Sequence, residues 1–495
     1  MKAETTRRPL FPAWANAFLM KWTLQRCQVA ERTLDTSALG YYGTFSSFLE
    51  MDFPLPGNVG IASQSGAYGT HLAAVARVRG LGTSVLVTTG NEADVTVADA
   101  IGWMAGSDAV DVICAYQEGF RDADRMIAAL DAARAAGKPV FMLKSGRSPI
   151  GASAAASHTA SLTGDDAVAE AVLAEHGVIR VRDTEQMLDF AYAARQRIYP
   201  AHNSLGVITI SGGAGIVASD EAELVGLPMP TMPAEAQVRL KQLLPYGAPA
   251  NPLDCTAQAL NDMSLFEQFT RAAIRDGEYR SILCFMTYVA GSATLAPKLR
   301  ETLHKIRAEF PDRLLALCII ADDAVTRAYE EAGFLVFSDP SRAVRAIAAM
   351  GRVGEMMARK PKALPELPNV RLPAVSPDEY AAKALLAKAG IAAAAERIVH
   401  SAEEAVAAAA ELGFPVVMKI VSPDIVHKSD IGGVRLNLVD TDSVRAAYHD
   451  ILGTVGRTAP EARIAGILVA RQLSGGVECL MGIGRDLVFG PVAGK

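Results

Sequence analysis

The sequence predicts an α/β protein: two successive parallel sheets with helices on both faces, followed by a smaller α+β unit. Three observations carry this expectation. Apolar runs of strand length alternate with helix-length stretches from Asn58 onward, the same alternation starts afresh at Ser204, and a proline-rich segment then separates it from a different pattern. A length of 495 residues leaves room for about three domains, each able to bury its own core.

The first set of strands is NVGIA, SVLVT, VDVICAY and PVFMLK, spaced by helical stretches such as 70–79 and 122–136. The second set is SLGVITI, SILCFMTYV, LLALCII and FLVFS. Between 360 and 377, five prolines and three basic residues interrupt everything, as expected of a linker. Beyond it the pattern predicts helices over 377–390 and 402–412, a strand at VVMKIV, a glycine loop, and strands near GILVARQ and VECLMGI. The boundaries that follow are 1–57, 58–200, 201–359, 360–376 and 377–495.

A formal net charge of −6 and the lack of any basic cluster interleaved with aromatics argue against nucleic-acid binding. No apolar run reaches the ~20 residues needed to span a bilayer. The N-terminal apolar patch is broken by Asn16 and Lys21, which makes a poor secretory signal and reads as an amphipathic helix or an irregular start. Six scattered cysteines, Cys27, Cys114, Cys255, Cys284, Cys318 and Cys479, show no paired spacing. They predict reduced thiols in a cytoplasmic protein.

The two sheets share an internal echo. GIASQSGAYG, from Gly60, and GVITISGGAG, from Gly206, each end an apolar strand in Ser-Gly-x-x-Gly and open directly into a helix. Such a turn aims backbone N–H groups and a helix dipole at one point, a ready phosphate site formed here by Ser65 and Gly66 and again by Ser211, Gly212, Gly213 and Gly215. Glycine needed only for a tight strand-to-helix turn is the competing reading. Neither turn is a Rossmann GxGxxG, no Walker motif is present, and Ser63 stands where a nucleophile elbow around Ser65 would need glycine.

His158, in AASHTASLTG, is surrounded by small residues just before a helix expected to begin near Asp165. A neutral imidazole is a nitrogen nucleophile that another molecule could approach closely there, and attack on an activated phosphoryl group would give a phosphohistidine. Glu118, directly after a strand in AYQEGF, is the candidate carboxylate for its other ring nitrogen. Helix capping by His158, or a bond from it to a loop carbonyl, is the alternative. Lys419, alone in an apolar strand, could reach a nucleotide phosphate or simply snorkel from a sheet edge. His427 lies in a polar, glycine-flanked loop and could equally be without a role. The remaining histidines show no metal-ligand spacing.

Together these motifs resemble the NDP-forming acyl-CoA synthetases (acetate–CoA ligase, ADP-forming), relatives of succinyl-CoA synthetase. SQSGAYG, GNEADV, YQEG, KSGRS, SHTASLTG, SGGAG, NPLDCT, HKSDIGGV and FGPV resemble family motifs in the family's order, from about Ala38 to the last residue. The resemblance implies two flavodoxin-like, succinyl-CoA synthetase-type parallel-sheet domains plus a partial ATP-grasp domain. It implies the reversible joining of a carboxylic acid to CoA, with ATP giving ADP and phosphate through a phosphohistidine. His158 matches the phosphorylated histidine, Glu118 the glutamate that steadies it, and the two Ser-Gly-x-x-Gly turns the helix ends that hold its phosphate. His427 matches a second, relay histidine, and Lys419 the ATP-grasp lysine on the nucleotide. Coenzyme A, ATP/ADP and Mg2+ are the implied small molecules, and a homodimer is a possible assembly.

The same resemblance predicts a chain shorter than the family at both ends. Only the tail of a CoA-binding domain is expected, at 38–47, and the ATP-grasp fold is expected to break off at FGPVAGK before its metal-binding acidic residues. The acid is not readable, though its pocket is expected near 90–94 and 251–254. Two other readings are a catalytically impaired module that senses acyl-CoA or nucleotide, and the ligase-like part of a protein acetyltransferase.

Overall fold

The computed structural model describes residues 40–42, 45–46, 55–159, 165–359, 370–371, 373–374, 377, 379–425, 427–477, 479 and 481–494. Side chains are described for these residues except 40–46, 156–159 and 494. The chain divides into two compact units, 1–360 together with 482–494, and 361–481.

The first unit opens with β1 (Gly40–Tyr42) and β2 (Phe45–Ser46). Then come β3 (Val59–Ser63), α1 (Gly66–Val78), β4 (Thr83–Thr88), α2 (Val97–Ala105), β5 (Val112–Gln117) and α3 (Ala123–Ala135). β6 (Val140–Lys144), α4 (Pro149–Thr159), α5 (Asp166–Glu175), β7 (Val178–Arg180) and α6 (Thr184–Ala194) complete the first sheet and its helices. The strands lie in the order β2-β1-β4-β3-β5-β6-β7. β3 to β7 are parallel, and β1 runs antiparallel along β4. All five residues of β3 are buried, because helices cover both faces, and this explains its continuous apolar run.

The second sheet follows as β8 (Leu205–Thr209), α7 (Gly212–Leu224), α8 (Ala234–Leu243), β9 (Leu253–Asp254), α9 (Met263–Arg275) and β10 (Ser281–Thr287). It ends with α10 (Ala296–Glu309), β11 (Leu314–Ile319), α11 (Asp323–Glu331), β12 (Leu335–Phe337) and α12 (Pro340–Ala358). Its order is β12-β11-β10-β8-β9, all parallel. Counted from β3 and from β8, both sheets have the flavodoxin-like order 2-1-3-4-5. One apolar layer joins them: Leu188 and Phe190 of α6 and Ile347 and Met350 of α12 belong to the same buried cluster as Ile61, Phe141, Val207 and Leu314. Each such fully buried side chain contributes roughly 1.5–3 kcal/mol.

The second unit contains α13 (Glu379–Lys388), β13 (Glu396–Val399), α14 (Ala402–Leu412), β14 (Val416–Val421), β15 (Val434–Leu438), α15 (Thr441–Thr458) and β16 (Gly466–Arg471). Its sheet, β13-β16-β14-β15, is antiparallel throughout. Ala405, Ala409, Val444 and Ile451 of α14 and α15 bury the face that carries Met418, Ile420 and Val469. The helix expected at 402–412 is α14 itself.

A final hairpin, β17 (Gly482–Asp486) and β18 (Gly490–Gly494), belongs to the first unit. Asp486 Oδ1 accepts from the N–H groups of Val488 and Phe489, both at 2.8 Å, and so shapes the tip. Phe489 then meets Phe120 edge-on, with ring centroids 5.3 Å apart.

Candidate functional site

In each sheet the first strand lies between the second and third, so the connections leave it in opposite directions and open a crevice at its carboxyl end. Both Ser-Gly-x-x-Gly turns occupy that position, after β3 and after β8. Ser65 caps α1, its hydroxyl accepting from the Tyr68 N–H at 3.3 Å. Ser211 stands at the N-cap of α7 without a side-chain cap.

The last glycine of each turn is accounted for by packing. A Cβ at Gly69 would stand 2.7 Å from Thr88 Cγ2, and one at Gly215 would stand 3.0 Å from Pro252 Cβ. At Gly213 a Cβ would meet nothing within 4 Å, so the start of α7 is open to an approaching group. Packing alone therefore gives a reason for glycine at 69 and 215, and gives none at 213.

Period-two alternation puts Gln64, Gln117 and Lys144 on one face at the carboxyl end of the first sheet, where Gln117 is the register partner of Lys144. Gln64 is the hub. Its Oε1 accepts from the N–H of Glu118 at 2.7 Å, the N–H of Gly119 at 3.2 Å and Gln117 Nε2 at 3.1 Å. Its Nε2 donates to Glu92 Oε2 at 3.4 Å. These bonds fix the Glu118 backbone beside the turn that holds Ser65.

Glu118 is 6% exposed. Its Oε1 accepts from the Tyr116 hydroxyl at 3.2 Å, while Oε2 is buried with no hydrogen-bond partner among the described residues. A buried carboxylate oxygen left unpaired costs free energy on folding, which a donor brought to it would recover.

Glu92 adds a second buried carboxylate in the loop after β4. Its backbone is held at φ +54, and its Oε1 accepts from the Val97 N–H at 2.8 Å. Burial raises its pKa, opposed by that backbone bond.

Lys144 is 1% exposed and donates to the Ser145 carbonyl at 2.6 Å. Its ammonium also lies 5.9 Å from the centre of the Phe120 ring. Burial pulls its pKa down from 10.5 to about 8. Below that value the folded and unfolded chains both hold the proton, and folding bears the full cost of a buried charge. Between about 8 and 10.5 only the unfolded chain keeps the proton, so stability rises with pH across that window. We expect Lys144→Met to raise the urea-derived stability at neutral pH by on the order of 1–3 kcal/mol. It should also flatten the wild-type rise above pH 8.

His158 lies in the last turn of α4, a helix, where the small residues around it had suggested an open segment preceding a helix. Ala and Ser suit a helix as well as a clearing, which is why the helix went unread. Its side chain is outside the described residues. The helix expected near Asp165 does begin there, with Asp165 as the cap of α5, accepting from the Ala167 N–H at 2.8 Å.

In the second unit Lys419 is on β14, paired across the sheet with Val434 and Leu468. It is therefore on an inner strand, and the edge-strand reading does not apply. His427 is exposed in the following loop. Lys419 Nζ lies 3.4 Å from Glu379 Oε1, and Lys428 Nζ lies 2.9 Å from Glu379 Oε2.

A succinyl-CoA ligase like flavodoxin domain matches residues 56–194, and an ATP-grasp domain matches residues 375–494. The chain is 33% identical to the ADP-forming acetate–CoA ligase I of Archaeoglobus fulgidus, over 89% of this chain and 64% of that one. It is 29% identical to the ADP-forming 4-hydroxybutyrate–CoA ligase of Nitrosopumilus maritimus, over 90% of this chain and 66% of that one. The chain belongs to the NDP-forming acyl-CoA synthetase family. It is also 34% identical to a trans-feruloyl-CoA synthase from an unknown prokaryotic organism, over 88% of this chain and 62% of the relative. It thus spans less than two thirds of the length of these relatives.

The fold agrees with that membership. The dinucleotide-forming acetyl-coenzyme A synthetase 1 of Ca. Korarchaeum cryptofilum, in complex with phosphate and ADP, superposes with a TM-score of 0.56. The superposition covers 64% of this chain and 70% of that one at 24% identity. In this family member the structure brings Glu118 together with the Ser65 turn through Gln64. The turn at 211–215 holds the equivalent position on the other sheet. Gln64, Gln117, Glu92, Lys144, Glu379 and Lys428 were not singled out from sequence. For the first, second and fourth of these, the signal was there in strand periodicity, which places them on one face just where the apolar run ends.

Proposed function

We propose that the chain carries the phosphoryl-transfer chemistry of an ADP-forming acid–CoA ligase, with His158 as the nucleophile. The observation that carries this reading is the buried Oε2 of Glu118, without a partner among the described residues, on a residue whose backbone Gln64 fixes beside a helix N-terminus at a topological switch point. An imidazole N–H would satisfy that oxygen and leave the other ring nitrogen free to attack. In the ATP-using direction the γ-phosphorus–oxygen bond breaks, a nitrogen–phosphorus bond forms, and ADP leaves. The carboxylate of the acid then takes the phosphoryl group, restoring the imidazole, and the CoA thiol displaces phosphate from the acyl phosphate. N-terminal helix dipoles at Ser65 and Gly66, and at Ser211, Gly212 and Gly213, stabilise the transferring dianion.

Lys419 holds nucleotide phosphate in this reading, and His427 relays the group. The acids in the relatives' names range from acetate to a feruloyl group, so a small carboxylic acid, CoA and ATP/ADP are the proposed partners. Among the described residues no three His, Cys, Asp or Glu side chains converge on a metal-sized site, so no Mg2+ ligand is assigned. No helix among the described residues is long and apolar enough to cross a membrane. The buried thiols of Cys114, Cys255, Cys284 and Cys318 support a reducing, cytoplasmic setting. Homodimer formation stays part of the proposal on the family resemblance.

The test is phosphoryl labelling of the whole chain from γ-labelled ATP with Mg2+, and separately from labelled acetyl phosphate. The expected product is acid-labile and base-stable. A chain that takes label from neither donor does not perform this chemistry.

A further inference from the structure

Three lysines of the second unit converge on one carboxylate. Glu379 Oε1 lies 2.8 Å from Lys383 Nζ and 3.4 Å from Lys419 Nζ, and Oε2 lies 2.9 Å from Lys428 Nζ. Lys383 has a second partner in Glu396, at 2.8 Å. Among the described residues Lys419 and Lys428 have only Glu379.

The local backbone makes this convergence specific. Gly432, at φ +68, lets the chain reverse after His427, the Gly433 N–H returns to the Lys428 carbonyl at 2.8 Å, and the Ile420 N–H bonds the Gly433 carbonyl at 2.8 Å. Lys428 is thereby tied to the strand residue next to Lys419. The arrangement sets three ammonium groups, one of them shared with Glu396, about one small anion, which the protein itself supplies from the first residue of α13.

We propose that Lys419 and Lys428 form a two-point subsite for a polyphosphate, and that Glu379 is its built-in competitor, holding the two ammonium groups that the phosphates must take over. This deepens the nucleotide reading of Lys419 and rests on it for the identity of the natural ligand. The neighbouring lysines hold the Glu379 carboxyl down at about 2 against the opposing effect of burial, so protonation does not release the lysines near neutral pH. Only a competing anion, or loss of the carboxylate, does so. Glu379 accordingly sets a threshold: a single phosphate meets two ammonium charges already half offset by a carboxylate, whereas a chain of phosphates brings enough charge to displace it.

The experiment is calorimetric titration of the full chain with inorganic tripolyphosphate at low ionic strength, beside fluorescence titration with mant-ADP. Glu379→Gln, and Glu379→Ala as a second variant, are expected to bind tripolyphosphate about 5–20-fold tighter than wild type, a gain that shrinks in high salt. Adding Lys428→Met to Glu379→Gln should cancel the gain. Equal or weaker tripolyphosphate binding by both Glu379 variants, at unchanged melting temperature, overturns the proposal and makes the cluster a structural ion-pair network. So does failure of wild type and variants alike to bind tripolyphosphate. If mant-ADP binding is lost in Lys419→Met but the Glu379 variants show no gain, the nucleotide reading stands and this inference falls. If the gain occurs but mant-ADP does not bind, the subsite stands and the nucleotide reading falls.

Discussion

Glu118→Gln is expected to slow phosphoryl labelling from acetyl phosphate by about 10²–10³-fold, against a zero reference set by His158→Ala. Glu118 is buried, its backbone is held by Gln64, and its Oε2 has no partner among the described residues. An ionised carboxylate accepts the proton of one imidazole nitrogen, fixes the tautomer and stabilises the positive charge that develops as the other nitrogen attacks. A glutamine presents the same shape, but if its amide nitrogen takes the Oε2 place it faces the ring with a donor.

A merely structural role for Glu118 would leave the pH profile alone, so that profile is the discriminating measurement. Removing a negative charge beside an imidazole lowers the imidazole pKa from wherever the carboxylate had raised it. The acidic limb of the labelling rate should therefore move to lower pH in Glu118→Gln. Glu118→Asp should restore the limb and part of the rate. A slowed variant whose limb has not moved would assign Glu118 to the scaffold only.

Much of this arrangement was legible in the sequence because it depends on local rules. Both Ser-Gly-x-x-Gly turns follow apolar strands and open helices as their spacing requires, and α14 begins at a serine cap with Glu404 three residues on. Strand order was implied by the family resemblance and not by the strands themselves, since β9 spans only two residues. The polar row at Gln64, Gln117 and Lys144 went unnoticed because each residue looks like the exposed end of a strand. In the folded sheet all three are buried, and the Phe120 ring lies against the Lys144 ammonium. Glu379 was missed for a related reason: it opens a helix, where an acidic residue has a sufficient local explanation in the helix dipole. Its partners Lys419 and Lys428 lie 40 and 49 residues away.

The second large expected effect concerns stability. Asp189→Ala should destabilise the first unit by about 3 kcal/mol, read as a lower urea midpoint. Asp189 is buried in α6, with its side chain 6% exposed. It receives Arg342 through Nε at 2.8 Å and Nη2 at 2.7 Å, and Arg79 pairs with its Oδ1 as well. Arg79 follows α1 and Arg342 lies in α12, so one carboxylate ties a helix of each sheet to the layer between them. Two guanidinium groups gathered about one buried acid repel each other once it is removed, and that penalty adds to the lost bonds. Both arginine side chains are partly exposed, at 24% and 32%, and Glu185 pairs with each at 3.3 and 3.2 Å. Solvent and Glu185 therefore recover part of the loss, which keeps the expected value at the lower end of that for a broken buried pair. Adding Arg79→Met and Arg342→Met to Asp189→Ala should regain stability, because uncharged stems can pack where two guanidinium groups had shared one buried acid. If the triple variant is no more stable than Asp189→Ala, packing around the aspartate and not its charge holds the two sheets together.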